Sequence, residues 1–164
     1  QKAAVAEAVK ADGDTAIAYV DGSYDKMTNA FSYGMILMYQ GKEYLFCQKF
    51  EDDELATMHN VAGEIKGSEA AMGFAVRGGV KKIVIYHDYE GIAKWCNGAW
   101  KANKTGTKAY QALYRQMSQN VAISFVKVKG HSNDTYNDIA DGLAKQALGI
   151  GTCQYTDANP YELL

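Results

Sequence analysis

The chain has 164 residues, 48% hydrophobic and 22% charged, with a formal net charge of −2; this describes one folded domain with a sizeable core and excludes a disordered or fibrous protein. No stretch approaches the roughly 18 uninterrupted apolar residues of a membrane span, and the opening QKAAVAEAVKADGD lacks the charged-then-apolar order of a secretory signal, so no membrane partner and a cytoplasmic location are expected. Cys47, Cys96 and Cys153 are odd in number and share no CxxC spacing, which argues against a disulfide framework or a zinc site and leaves three free thiols.

In chain order, residues 1–13 read as an Ala-rich N-terminal extension or linker, and the initial Gln suggests a piece of a longer chain. Three runs rich in aromatic and branched residues follow, Thr15 to Asp21, Ala30 to Tyr39 and Lys42 to Phe50. Short Gly-containing turns separate them, Gln40-Gly41 making the second hairpin, so they form an antiparallel meander. Val61, Ile65, Met72 and Val76 are apolar at helical spacing, and Gly78-Gly79 ends that helix. Lys82 to Tyr86 is a short apolar run suited to a buried strand; helical pieces follow from about 91 to 119, and Ala122 to Val128 alternates as a last strand. A helix from Asp134 to Leu148 closes the domain, taken as 14–149, and residues 150–164 with the lone Pro160 read as an irregular extension. Three strands followed by helix, strand, helix, strand and helix give an α/β domain with a mixed sheet and helices packed on its faces.

Charge is unevenly placed. No Asp or Glu occurs from Gly91 to Asn133, whereas Lys94, Lys101, Lys104, Lys108, Arg115, Lys127 and Lys129 all fall inside that stretch. Such one-sided clustering fits a phosphate-contacting face as well as an ordinary solvated one.

The acids carry more information. Asp21 ends the first strand immediately before Gly22-Ser23, and Asp88 lies just past the fourth, so both sit at carboxyl ends if these strands run parallel. Taken singly, Asp21 fits an Asp-Gly turn and Asp88 a helix N-cap equally well. At ~100° per residue, the last helix places Asp141 on the shoulder of its apolar stripe, beside Asn137, and turns Asp138 to water. In the first helix Glu64 shares a line of small side chains with Ser68, Ala71 and Ala75, Glu69 occupies the other shoulder, and periodicity does not choose between the two acids. Were such acids to converge, two carboxylates ~5 Å apart would repel by about 3 kcal/mol at an effective dielectric near 20. Only protons or cations could hold them, and an all-oxygen ligand set favours Mg²⁺ or Mn²⁺.

The series VDGS (Val20 to Ser23), Asn60-x-x-x-Glu64, IYHD (Ile85 to Asp88), VKGH (Val128 to His131) and NDIAD (Asn137 to Asp141) resembles ribonuclease H type 1, enzymes that cut RNA in RNA–DNA hybrids. The likeness spans about Thr15 to Leu148. It implies a ribonuclease H-like fold with a five-stranded sheet in the order 3-2-1-4-5, and Asp21, Glu64, Asp88 and Asp141 as ligands of two Mg²⁺ ions, with Mn²⁺ a possible substitute. On that likeness Glu64 is chosen over Glu69, Asp21 bridges both ions, Asp141 holds the ion that activates water, and Glu64 and Asp88 hold the ion near the leaving 3′ oxygen. Cleavage would leave 5′-phosphate and 3′-hydroxyl ends. His131 matches a mobile-loop histidine that aids proton transfer or product release. Glu64 and backbone groups near Gly22 and Ser23 would read the 2′-hydroxyls that distinguish RNA.

The segment KWCNGAWKANKTGTKAY resembles a basic handle that grips the hybrid, through Trp95, Trp100, Lys101 and Lys104, in a shortened form; its aromatics serve equally as local core. Asn60 holds a substrate-binding place, but this chain has His59-Asn60-Val61 where many members have Thr-Asn-Asn, so the pocket for a DNA-strand phosphate is altered or completed by other residues. His87 and Tyr89 flank Asp88 in place of the commoner Thr and Ser. A monomer is expected, with room for an upstream hybrid-binding module. A hybrid-binding module without catalysis and a nuclease of the same fold acting on another duplex are the competing readings.

Overall fold

A computed structural model of the chain describes residues 13–51, 54–128 and 135–149. Strands β1 (Thr15–Asp25), β2 (Ala30–Tyr39) and β3 (Lys42–Phe50) form the meander, followed by a 3-10 turn (Glu54–Met58) and helix α1 (Asn60–Arg77). Then come β4 (Lys82–His87), α2 (Gly91–Asn97), α3 (Thr105–Met117), β5 (Ala122–Lys127) and α4 (Thr135–Leu148). The five strands make one sheet in the order β3-β2-β1-β4-β5. β2 runs antiparallel to β1 and β3, and β4 runs parallel to β1 and β5. Helix α1 packs on β1, β2 and β4 and also touches α2 and α3, while α4 packs against β1, β2 and β3.

The strands form where branched and aromatic side chains fit a pleated surface. β2 is buried along nearly its whole length, because α1 covers one of its faces and α4 the other. Gln40 and Gly41 both have positive φ, 51° and 77°, as a two-residue hairpin turn demands. The main core, containing Phe31, Phe46, Ile65, Met72, Phe74 and Ile83, lies under α1; a smaller cluster of Ile17, Tyr19, Ile36 and Ala140 lies under α4. Among the described residues no helix is long and apolar enough to cross a membrane.

Two elements differ from the sequence reading. The first strand does not stop at Asp21 but continues to Asp25, because Gly22 and Ser23 pair with Tyr33 and Ser32 in the antiparallel ladder. The reversal comes later, at 26–29, where the Asp25 carboxylate accepts a 2.9 Å bond from the Met27 N–H. β1 therefore outruns its parallel partner: pairing with β4 ends at Tyr19 opposite Tyr86, and Asp21 emerges just beyond. The second difference is the 3-10 turn, which periodicity does not show because its single buried residue is Leu55.

Gly22 is a packing glycine. A methyl group there would overlap the Asn60 carbonyl oxygen of α1, and one at Gly63 would overlap the Ser32 carbonyl oxygen. On the opposite face a methyl at Gly34 would overlap the Ala140 carbonyl oxygen of α4. Gly34 is the register partner of Asp21. The Ser32 hydroxyl then donates a buried 2.6 Å bond to the Ala144 carbonyl. Gly34→Ala is expected to destabilise the protein by about 3 kcal/mol, since backbone cannot yield as a side chain can. Urea denaturation of the two proteins checks this, and a loss below about 0.5 kcal/mol would show that α4 does not rest on bare backbone.

Candidate active site

The parting of β1 and β4 leaves a crevice at the carboxyl ends of two parallel strands, and three acids open into it. Asp21 projects from β1, Asp88 follows β4, and Glu64 descends from the second turn of α1. Each offers a carboxylate oxygen, and these three oxygens lie within 4.8 Å of one another. Glu64 is only 3% exposed. Its Oε1 accepts a 2.7 Å bond from the Tyr89 N–H, and Asp21 Oδ1 accepts a 2.9 Å bond from the Gly22 N–H. Neither Asp-Gly turn nor N-cap describes these residues: Asp21 is a strand residue, and Glu90, not Asp88, precedes α2 as its cap.

Burial and mutual repulsion act together here. Loss of hydration pushes the Asp21 carboxyl up to about 7, with the charges of Asp141 and Asp88 adding to the shift and the Gly22 N–H opposing it. Burial also holds Glu64 well above the usual carboxylate range, against the stabilising Tyr89 N–H and with further upward pressure from Asp21 and Asp88. Such a cluster takes up protons or cations, and its donors, hard oxygens at short separation, are those that divalent magnesium or manganese accepts.

Asp141 stands beside this trio, close enough to raise Asp21. Its own Oδ2 lies 2.9 Å from Lys145 Nζ, one turn on along α4. Asp141 is therefore paired; the i,i+4 spacing of Asp141 and Lys145 was the signal that the sequence reading overlooked. Asn137 is buried and Asp138 exposed, as the helical angles require. Glu69 lies on the other shoulder of α1, 3.6 Å from Lys66.

Apart from His131, the remaining expected residues lie on β1, on α1 and in the segment from α2 to the start of α3. Gly22 and Ser23 continue β1 beside α1, and Asn60 is exposed as the first residue of α1. His59 before it has positive φ, 58°, and stacks on the Tyr24 ring at 4.4 Å. His131 lies outside the described residues. Trp95 is buried, and its ring meets Trp100 edge-on at 5.8 Å. Tyr89 packs against both, at 5.9 and 5.8 Å. The aromatics of the expected handle are thus built into the fold, while Lys101 and Lys104 are exposed. Tyr89, whose main chain holds Glu64, was not among the expected site residues, because a backbone donor leaves no trace in side-chain identity.

A mixed sheet with acids gathered where two parallel strands part defines an α/β enzyme with a cation-seeking site. A family profile for RNase H matches residues 13–149. The chain belongs to the RNase H family. Among curated relatives, Ribonuclease H of Parvibaculum lavamentivorans is 29% identical over 140 residues, 79% of this chain and 89% of the relative. Ribonuclease H of Chromobacterium violaceum is 28% identical over 143 residues, 79% of this chain and 92% of that one. The solved RNase H1 of the archaeon Halobacterium salinarum has a TM-score of 0.69 at 21% identity, covering 84% of this chain and 99% of its own. LC11-RNase H1, solved in complex with an RNA/DNA hybrid, has a TM-score of 0.63 at 15% identity, covering 81% and 99%. At these identities the solved structures establish the fold.

The raised Asp21 carboxyl sets a pH dependence for the metal-free protein. A carboxyl whose folded pKa exceeds its unfolded value favours folding most when protonated in both states, and loses that contribution as pH climbs from 3.8 through about 7. The loss is at most about 4 kcal/mol. In chelator, stability should therefore fall between about pH 4 and about pH 7, and Asp21→Asn should flatten the slope and be the more stable protein at the upper end. Urea melts across that range test it; a wild-type slope unchanged by Asp21→Asn would contradict the assignment. Lys145→Met, which frees the Asp141 carboxylate, should tighten Mn²⁺ binding several-fold at low salt, as measured by calorimetry.

Proposed function

We propose that this ribonuclease is an endonuclease that hydrolyses the RNA strand of RNA–DNA hybrids, with Asp21, Glu64, Asp88 and Asp141 holding two Mg²⁺ ions. The observation that carries the reading is the trio of carboxylate oxygens within 4.8 Å, two of them on acids whose pKa burial has raised. Lys145, 2.9 Å from Asp141, opposes the upward shift of Asp21 without cancelling it. Asp21, Glu64, Asp88 and Asp141 would hold the ions, which would supply polarisation of the phosphodiester and a lowered pKa for the attacking water; water adding to phosphorus with the P–O3′ bond breaking would leave 5′-phosphate and 3′-hydroxyl ends.

The chain's own residues supply position. Asp21 sits between the acid arriving from α1 and the one on α4, and its Gly22 hydrogen bond aims one oxygen. Glu64 is locked by burial and by the Tyr89 N–H, so its carboxylate enters the crevice in one orientation. Asp141, half-exposed and paired with Lys145, is the member that would have to release Lys145 to hold a divalent ion. Asn60, Lys101 and Lys104 are exposed and free to meet hybrid, and backbone groups at Gly22 and Ser23, next to Asp21, are the candidates for 2′-hydroxyl contacts. The hybrid in the LC11-RNase H1 structure supports this choice of substrate.

Incubating end-labelled RNA–DNA hybrid, double-stranded RNA and double-stranded DNA with Mg²⁺, and again with chelator, tests the reading. Only the hybrid should be cut, only with Mg²⁺, and Asp21→Asn should lose at least about a thousandfold in rate while still binding hybrid. An uncut hybrid that is nevertheless bound would make the chain a binding module, and preference for another duplex would move it to a different nuclease specificity.

A further inference from the structure

His87 takes no part in the scheme above. It ends β4 at 1% exposure, with its ring edge-on to Phe125 at 5.9 Å. Its Nδ1 lies 2.9 Å from the Tyr89 carbonyl oxygen. A carbonyl only accepts, so Nδ1 carries the proton; Nε2 is then an acceptor, buried with no hydrogen-bond partner among the described residues. An orphaned buried acceptor costs about 1–3 kcal/mol. An apolar ring would fill the same place against Phe125 without that cost. The one hydrogen bond the His87 ring makes among the described residues must therefore be weighed by what it holds.

It holds the residue on which Glu64 depends. The Tyr89 N–H donates to Glu64 Oε1 at 2.7 Å, and the Tyr89 carbonyl accepts both His87 Nδ1–H and, at 3.1 Å, the Ile92 N–H of α2. Asp88 lies between His87 and Tyr89 in the chain, so the span that carries its carboxylate is closed at both ends by this bond. At its other side His87 is fixed by the ladder, its carbonyl accepting the Val128 N–H at 2.7 Å.

We propose that His87 is the positioning residue for the Glu64 and Asp88 half of the site: its Nδ1–H bond to the Tyr89 carbonyl sets the turn that aims the Tyr89 N–H at Glu64 and the Asp88 carboxylate at Asp21. The inference rests on the divalent-ion reading of the cluster. It assigns His87 no proton transfer and no contact with substrate.

His87→Phe keeps the ring and removes the bond; His87→Leu serves the same end should the larger ring fail to fold; His87→Asn places an amide N–H near the Nδ1 position. Each metal-free protein is titrated with Mn²⁺ alone by calorimetry, melted in chelator, and assayed on hybrid. His87→Phe should bind Mn²⁺ about tenfold or more weakly, with kcat reduced comparably, KM for hybrid unchanged and metal-free melting little altered, and His87→Asn should recover most of the ion affinity. Wild-type Mn²⁺ affinity in His87→Phe or His87→Leu would overturn the proposal, as would loss of metal-free stability with affinity intact. Hybrid left uncut by the wild-type protein would sink the functional reading, while the Mn²⁺ titration would still decide the role of His87.

Discussion

The site depends on backbone meeting backbone at one place in the sheet. Gly22 and Gly63 let α1 rest on the ladder between β1 and β2, and Gly34, opposite Asp21, lets α4 rest on its other face. Ser32 belongs to both seats, since its carbonyl lies under Gly63 and its hydroxyl donates to the Ala144 carbonyl. Side-chain packing would hold the helices 8–10 Å from their neighbours with ångström-scale freedom. Main-chain contact removes that freedom, and so the acid on each helix arrives beside Asp21 from opposite faces at a fixed depth.

This rigidity is what makes the electrostatics useful. Three carboxylates within 4.8 Å repel, and Glu64 is too deeply buried for solvent to relieve it. In a softer frame the acids would move apart; here they gain protons instead, as the elevated Asp21 and Glu64 carboxyls show. The fold thus spends part of its stability on holding a cluster that would accept cations. Backbone hydrogen bonds, among them those from the Gly22 and Tyr89 N–H groups, keep the oxygens aimed in the meantime. Lys145 shows the same demand for positive charge being met by the protein itself at Asp141.

How much of this was legible in the sequence follows from what kind of force set each feature. Strand and helix positions follow hydrophobic period, and the two-residue turn at Gln40-Gly41 and the line of Glu64, Ser68, Ala71 and Ala75 on α1 were readable from it. Gly22 misled because a glycine after an aspartate signals a turn, whereas here it is demanded by a helix packed on the strand, a tertiary contact that local sequence cannot display. Glu64 and Glu69 were inseparable by period because both flank the apolar stripe; the resemblance chose Glu64, and burial with the Tyr89 bond sets it apart in the structure. Trp95 lay open between handle and core until its neighbours Tyr89 and Trp100 were in place. The backbone donors and the Lys145 pairing escaped because the acids alone were examined as charges in need of a metal.

The central claim is that divalent ions complete the carboxylate cluster. Crystals of the protein grown with Mn²⁺ and measured at a wavelength where manganese scatters anomalously test it most directly. The account predicts anomalous density against the carboxylates of Asp21, Glu64 and Asp88, with the Asp141 side chain turned from Lys145 toward it. Density only at surface acids elsewhere, with Asp141 still bound to Lys145 and the crevice holding water, would contradict it.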